Sequence, residues 1–245
     1  MEVGQFSKMN IGIIIQARMG SERLPGKVLK EIDGKTLLQI LLDRIKPSGF
    51  QIVVATTTDL KDDILVDTLK SLGVNYYRGS EDDVLSRYYE SAKTFKFDAI
   101  IRLTADNPFV DADFVSICVA EYQRVNDENG YLFTEKYPLG IGLEIFSFKS
   151  LSDAYLNAKD IKEREHVTPY IISNKQIVQT CIAYKEDKEH YRLTIDTDKD
   201  FELASTLILN HQADKLGVEK IIACLDEHQQ LLTINSSVHQ KKWQE

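Results

Sequence analysis

The sequence predicts an α/β fold: a doubly wound, mostly parallel sheet with a small embedded subdomain. Three observations lead there. Short runs rich in β-branched residues alternate with amphipathic helical patterns through the first half of the chain, the rhythm of βαβ units. The length of 245 residues suits one such domain and buries a core without staples. The second half loses the alternation, yet no repeat, low-complexity stretch or Pro/Gly-rich linker separates it. It therefore reads as one domain over residues 11–245, with an embedded segment at about 129–174 and an N-terminal extension at 1–10.

Taken in order, Ile11 to Gln16 is a continuous apolar run, as expected of a strand buried on both faces. Lys35 to Lys46 has Leu37, Leu38, Leu41, Leu42 and Ile45 at helical spacing. Gln51 to Ala55 reads as a second strand. Asp62 to Leu72 reads as a helix stopped by Gly73, and Val74 to Tyr77 as a short strand. Ser80 is the expected N-cap of a helix through Val84, Tyr88 and Ala92. Asp98 to Leu103 is the next strand and Asp113 to Val125 the next helix. Beyond these, Ile141–Phe148, Ile177–Tyr184 and Tyr191–Ile195 read as strands. Ser150–Lys159, Arg164–Asn174, Asp198–His211 and Gly217–Leu232 read as helical, the last as one helix or two.

Composition removes several classes of function. The net charge of −8 speaks against a nucleic-acid polymer as partner, since gripping a phosphate backbone takes a basic face. No run of about 18 apolar residues is present, so no membrane helix is expected. The N-terminus lacks the charged and apolar zones of a signal peptide. Cys118, Cys181 and Cys224 form no CxxC pair, which argues against a zinc site or a disulfide framework and fits a reducing cytoplasm.

In doubly wound sheets, ligands bind outside the carboxyl ends of the strands. That directs attention to the loops 17–27, 56–61, 78–83 and 104–111. The first carries Arg18, Arg23 and Lys27 with two glycines and a proline. Glycines let backbone amides approach phosphate oxygens, and a triphosphate of about four negative charges suits three cations plus a metal. The loop is neither GxGxxG nor a P-loop. Asp106 follows a buried strand and Asp196 follows a short one, so both can reach one edge of one sheet. There two carboxylates facing a triphosphate meet the needs of Mg2+. The competing readings are a turn-initiating Asp106 and an Asp196 that caps the helix from Asp198. Asp111 and Asp113 form a DxD pair but are read as caps of the helix that follows.

The stretch from Ile15 to Lys27, IQARMGSERLPGK, resembles the opening motif of the sugar cytidylyltransferases. These activate acidic sugars as CMP conjugates, and the match is nearest the spore coat polysaccharide biosynthesis protein F branch. Val53–Thr57, Arg78–Leu85, Arg102–Pro108, Arg164–Tyr170 and Arg192–Thr197 resemble further family motifs in the same order, over roughly residues 11–205. Asn107 and Phe109 stand where cysteine and leucine are commoner in the family. The resemblance implies a Rossmann-like nucleotidyltransferase that moves CMP from CTP to a sugar with Mg2+. It implies that Arg18 and Lys27 hold the triphosphate near Ala17, Ser21 and Arg23, and that Ala55, Thr56 and Arg78 form the cytosine pocket. It also places Asp106 and Asp196 on the metal and Glu144 and His166 on the sugar side, and implies a homodimer paired through the embedded segment. The rival readings are a nucleotide-sugar glycosyltransferase using Asp111 and Asp113, and a non-catalytic nucleotide- or sugar-binding protein.

Overall fold

The computed structural model describes residues 9–125, 127 and 129–240. Its main sheet begins with β1 (Ile11–Gln16), whose neighbours are β4 (Gln51–Thr57) and β6 (Ala99–Thr104), both parallel to it. Between β1 and β4 lie a two-residue hairpin, β2 (Glu31–Ile32) and β3 (Lys35–Thr36), and helix α1 (Leu37–Ile45). Thr36 and Gln39 form a reciprocal capping box on α1, which satisfies two otherwise orphaned amides. Helix α2 (Asp63–Ser71) leads to β5 (Asn75–Gly79), parallel to β4 at the sheet edge. Helix α3 (Val84–Phe95) is capped by Asp83, which accepts from the Ser86 amide. Ser80, the expected cap, instead accepts from the Asp83 amide and closes the turn before it.

After β6 come α4 (Ala112–Val125), β7 (Tyr131–Glu135), β8 (Glu144–Ser147) and α5 (Phe148–Asn157). Then follow α6 (Ile161–His166), α7 (Pro169–Ser173), β9 (Gln179–Ala183), α8 (Asp198–His211) and α9 (Val218–Glu227). The sheet order is β5-β4-β1-β6-β8-β7-β9. β8 runs antiparallel to β6 and β7, while β9 is parallel to β7. Among the described residues the fold is thus a doubly wound α/β architecture, with a mixed, mostly parallel sheet and a small subdomain.

Alternation along β1 builds a core on each side of the sheet. Ile11, Ile13 and Ile15 join the cluster formed with α1, α2, α4, α8 and α9. Ile14 joins Val53, Ile100, Leu85, Tyr88 and Leu151 on the other face. Gly12 is required by close approach, because a Cβ there would lie 2.2 Å from the Phe97 ring.

Observed and expected elements differ in several places. β7 was not expected, and it lies between β8 and β9 in the sheet. The helix expected over 164–174 is two helices, broken at Val167, whose φ of 72° cannot continue a right-handed helix. Tyr191–Ile195 forms no strand of a ladder and makes a single parallel bridge, Leu139 to Arg192. Gly140 makes that bridge possible: its φ is 96°, and a Cβ would lie 2.3 Å from the Thr194 amide nitrogen.

Candidate active site

The site lies at the carboxyl ends of β1 and β6. The loop leaving β1 is fixed from below by Asp62, a fully buried carboxylate that accepts from the Met19 amide at 2.7 Å and from the hydroxyls of Thr56 and Thr57. Gly26, at φ 68°, turns the chain into a short 3-10 turn and presents Lys27 inward. From β6, the Thr104 hydroxyl donates to Asp106 at 2.5 Å. The segment carrying Asp196 is held against Asp106 by the Ile195 amide, which donates to the Asp106 carbonyl at 2.9 Å. Its other support is Leu139, whose carbonyl accepts from the amides of Leu193 and Thr194.

These supports converge on Lys27. Its ammonium donates to Asp106 at 2.7 Å and to Asp196 at 2.8 Å, so one cation spans both carboxylates. Asp196 is also paired with Arg23 at 3.1 Å and with Arg192 at 2.9 Å. Burial works against charge on Lys27, but the charges and hydrogen bonds of Asp106 and Asp196 outweigh it and hold the ammonium above the usual lysine value. Burial likewise opposes ionisation of Asp196, and Lys27, Arg23 and Arg192 together hold it below the usual carboxylate range. Arg192 is itself oriented by Asp200, a buried residue that also accepts from Asn235. Asp196 does not cap α8. Thr197 does, in a capping box with Asp200.

A cleft over this cluster is lined by Ala17, Arg18, Ser21, Arg23, Lys27, Asp106 and Asp196, and also by Glu165 and His166. Arg18, half exposed, pairs with Glu81 at 3.2 Å. Arg87 also lines the cleft. In the sequence it is one cation among helix residues and carries no signal, but its side chain is buried, with Nη1 donating to the Ser80 carbonyl and Nε without a hydrogen-bond partner among the described residues.

The structure does not bring Ala55, Thr56 and Arg78 to this cleft. Ala55 and Thr56 are fully buried, the Ala55 carbonyl accepting from the Ala17 amide and the Thr56 hydroxyl donating to Asp62. Arg78 donates to the carbonyls of Thr57 and Asp59 and pairs with Asp63 at 2.7 Å. Ala55 and Thr56 thus back the loop after β1, and Arg78 braces the turn after β4.

A second cleft adjoins the first, since Arg102 and Thr104 line both. It contains Glu144, Asn107, Tyr131, Lys136 and Gly142. Glu144 and His166 therefore sit in different clefts. Glu144 pairs with Arg102 at 2.5 Å and accepts from the Tyr131 hydroxyl. Burial, followed by the Glu144 charge, pushes the Tyr131 hydroxyl far above its ordinary value. Asn107 Oδ1 is buried and has no hydrogen-bond partner among the described residues. Asp111 is a structural residue: it accepts from the Phe114 amide at 2.8 Å and the Val218 amide at 2.6 Å, tying α4 to α9.

Comparison with known proteins agrees with this architecture. Residues 12–230 match the family model described as Cytidylyltransferase. An uncharacterized protein of Methanocaldococcus jannaschii is 41% identical over 244 residues, covering 97% of this chain and 99% of its own. The spore coat polysaccharide biosynthesis protein SpsF of Bacillus subtilis is 37% identical over 209 residues, covering 81% of this chain and 86% of its own. Among solved structures, a cytidylyltransferase from Leptospira borgpetersenii superposes with a TM-score of 0.87 at 32% identity, over 95% of this chain and 100% of that one. The chain is a nucleotidyltransferase and belongs to the cytidylyltransferase family.

Proposed function

We propose that the protein transfers CMP from CTP to a sugar, an acidic ulosonic or nonulosonic acid, with release of pyrophosphate, for surface polysaccharide biosynthesis. The observation that carries this is the Lys27 ammonium spanning Asp106 and Asp196 under a basic loop. The relatives support the nucleotide and acceptor classes. One of them is named a 3-deoxy-manno-octulosonate cytidylyltransferase, at 24% identity over 225 residues.

In this reading Arg18, Arg23 and Lys27 bind the triphosphate and balance its charge. A sugar hydroxyl held in the second cleft attacks the α-phosphorus, and its proton passes to solvent as the new P–O bond forms and the bond to pyrophosphate breaks. The protein contributes positioning and fixed charge, so no covalent enzyme intermediate is required. The donor set fits Mg2+: Asp106 and Asp196 both line the cleft, both offer oxygen only, and one cation already spans them. When bound there, the ion would supply neutralisation of charge building on the phosphates. The unpartnered Asn107 Oδ1 offers an acceptor for a sugar hydroxyl, and Glu144 acts by fixing Arg102 and Tyr131.

A homodimer and a cytoplasmic setting belong to the same proposal. Leu156, Ile161 and Ile172 are exposed at 73%, 77% and 46% on α5, α6 and α7, a pattern that suits a subunit contact. The three cysteines are free, as in a reducing compartment, and no helix among the described residues is long and apolar enough to cross a membrane. The test is pyrophosphate release with each of the four nucleoside triphosphates against a panel of acidic and neutral sugars. CTP with an acidic sugar should be turned over fastest. Equal turnover of UTP or GTP would refute the nucleotide assignment, and preference for neutral sugars the acceptor class.

A further inference from the structure

Away from the cleft, the chain brings together three donors that the proposed reaction does not use. His211 is the last residue of α8, Cys224 lies on α9, and His228 caps the C-terminus of α9. One ligand-capable atom from each lies within 4.8 Å of the others. The Cys224 sulfur is 3.9 Å from His228 Nδ1, and the two imidazole rings meet edge to face with centroids 4.7 Å apart. The Cys224 carbonyl, 2.9 Å from His228 Nδ1, keeps the ring beside the thiol. All three side chains are half-buried, so an ion can reach them from solvent.

We propose that His211, Cys224 and His228 form a binding site for a borderline-soft divalent ion of the zinc class, with solvent completing the coordination. Two nitrogens and a thiolate match that class, and magnesium prefers oxygen. Tetrahedral zinc spaces such donors about 3.3–3.6 Å apart, so side-chain adjustments of about 1 Å close the site. The ends of two helices add to the attraction, because both α8 and α9 direct their partly negative C-termini here. Binding deprotonates the thiol, and the proton passes to solvent. The ion would cross-link α8 to α9. The turn after α9 carries the chain to Asn235, which donates to Asp200 and to the Arg192 carbonyl. The spacing of the cysteines among themselves hides this site, since two of the three donors are histidines.

The test uses the full chain, stripped with chelator and kept reduced with a phosphine, then titrated with Co2+ and Zn2+ in excess Mg2+. Co2+ should give a thiolate-to-metal charge-transfer band, Zn2+ should abolish it, and Zn2+ should raise the melting temperature. Cys224→Ser should remove the band. It should also weaken Zn2+ binding by more than the roughly 10–100-fold typical of losing an outer-shell partner. His211→Ala should weaken it too. Cys181→Ser, at an exposed thiol, and Asp106→Asn should keep both signals. A band absent from the folded wild-type chain, or one that persists in Cys224→Ser, would overturn the proposal, and circular dichroism of each variant shows that it is folded.

Discussion

Replacing Lys27 by methionine removes the one charge that two carboxylates share while keeping the length of the side chain. Lys27 is nearly buried, with its side chain 11% exposed, and Asp106 and Asp196 are 25% and 14% exposed. Hydrogen bonds to charged groups are worth about 1.5–3 kcal/mol each, and Lys27 makes two. Residual exposure reduces this, and Asp196 keeps Arg23 and Arg192, so the expected loss of stability is about 2–4 kcal/mol. For a chain of this size that lowers the melting temperature by about 4–16 °C. Added Mg2+ should recover more stability in the variant than in the wild type, since it would replace the missing charge. CTP affinity should fall about tenfold or more. The pH dependence follows from the same cluster. Asp196 sits below its ordinary 3.8 and Lys27 above its ordinary 10.5, so the stability they contribute is fully present between those values. It is lost as pH falls below 3.8 through the depressed carboxylate value, and as pH rises past 10.5 through the raised ammonium value. Calorimetry across pH and calorimetric CTP titration measure both effects. An unchanged melting temperature with unchanged CTP affinity would refute the reasoning.

Arg102→Met leaves Glu144 with Tyr131 alone, and chemical denaturation should show a loss of about 2–4 kcal/mol. Adding Glu144→Gln should recover much of it, because the two residues form one network. Asn107→Ala removes an acceptor in the second cleft, so KM for the sugar should rise about tenfold with CTP affinity unchanged. Light scattering should give a dimer mass, and Leu156→Asp with Ile161→Asp should give a monomer.

The elements legible in the sequence were those whose pattern is local. The apolar run of β1 and the helix from Asp198 to His211 have the expected bounds, since burial on both faces and a capping box leave local marks. β7 was missed because it is a short strand whose partners, β8 and β9, are supplied by tertiary pairing. Tyr191–Ile195 carried a strand-like composition, yet its amides go to Leu139 and Asp106 in a single crossing. In the site, the basic loop and Asp106 could be picked out by position after strands, and Asp196 by the strand-like composition of the run before it. The role of Asp62 could not: it reads only as the first residue of a helix, and its partners are Met19 in the loop after β1 and Thr56 and Thr57 at the end of β4. The separation of Glu144 from His166 follows from the order of β8 and α6 in space, which residue spacing does not encode.

The central claim is that Asp106 and Asp196 serve one metal-assisted transfer at the Lys27 cleft. Its most direct test is Mg2+-dependent pyrophosphate release by Asp106→Asn, Asp196→Asn and the double variant, with melting temperature measured on the same samples. Each single variant should lose about a thousandfold in rate, near 4 kcal/mol of barrier, and the double variant little more. Stability should change less than in Lys27→Met, since Lys27 keeps one carboxylate in each single variant. Near-normal turnover by folded Asp106→Asn would contradict the account.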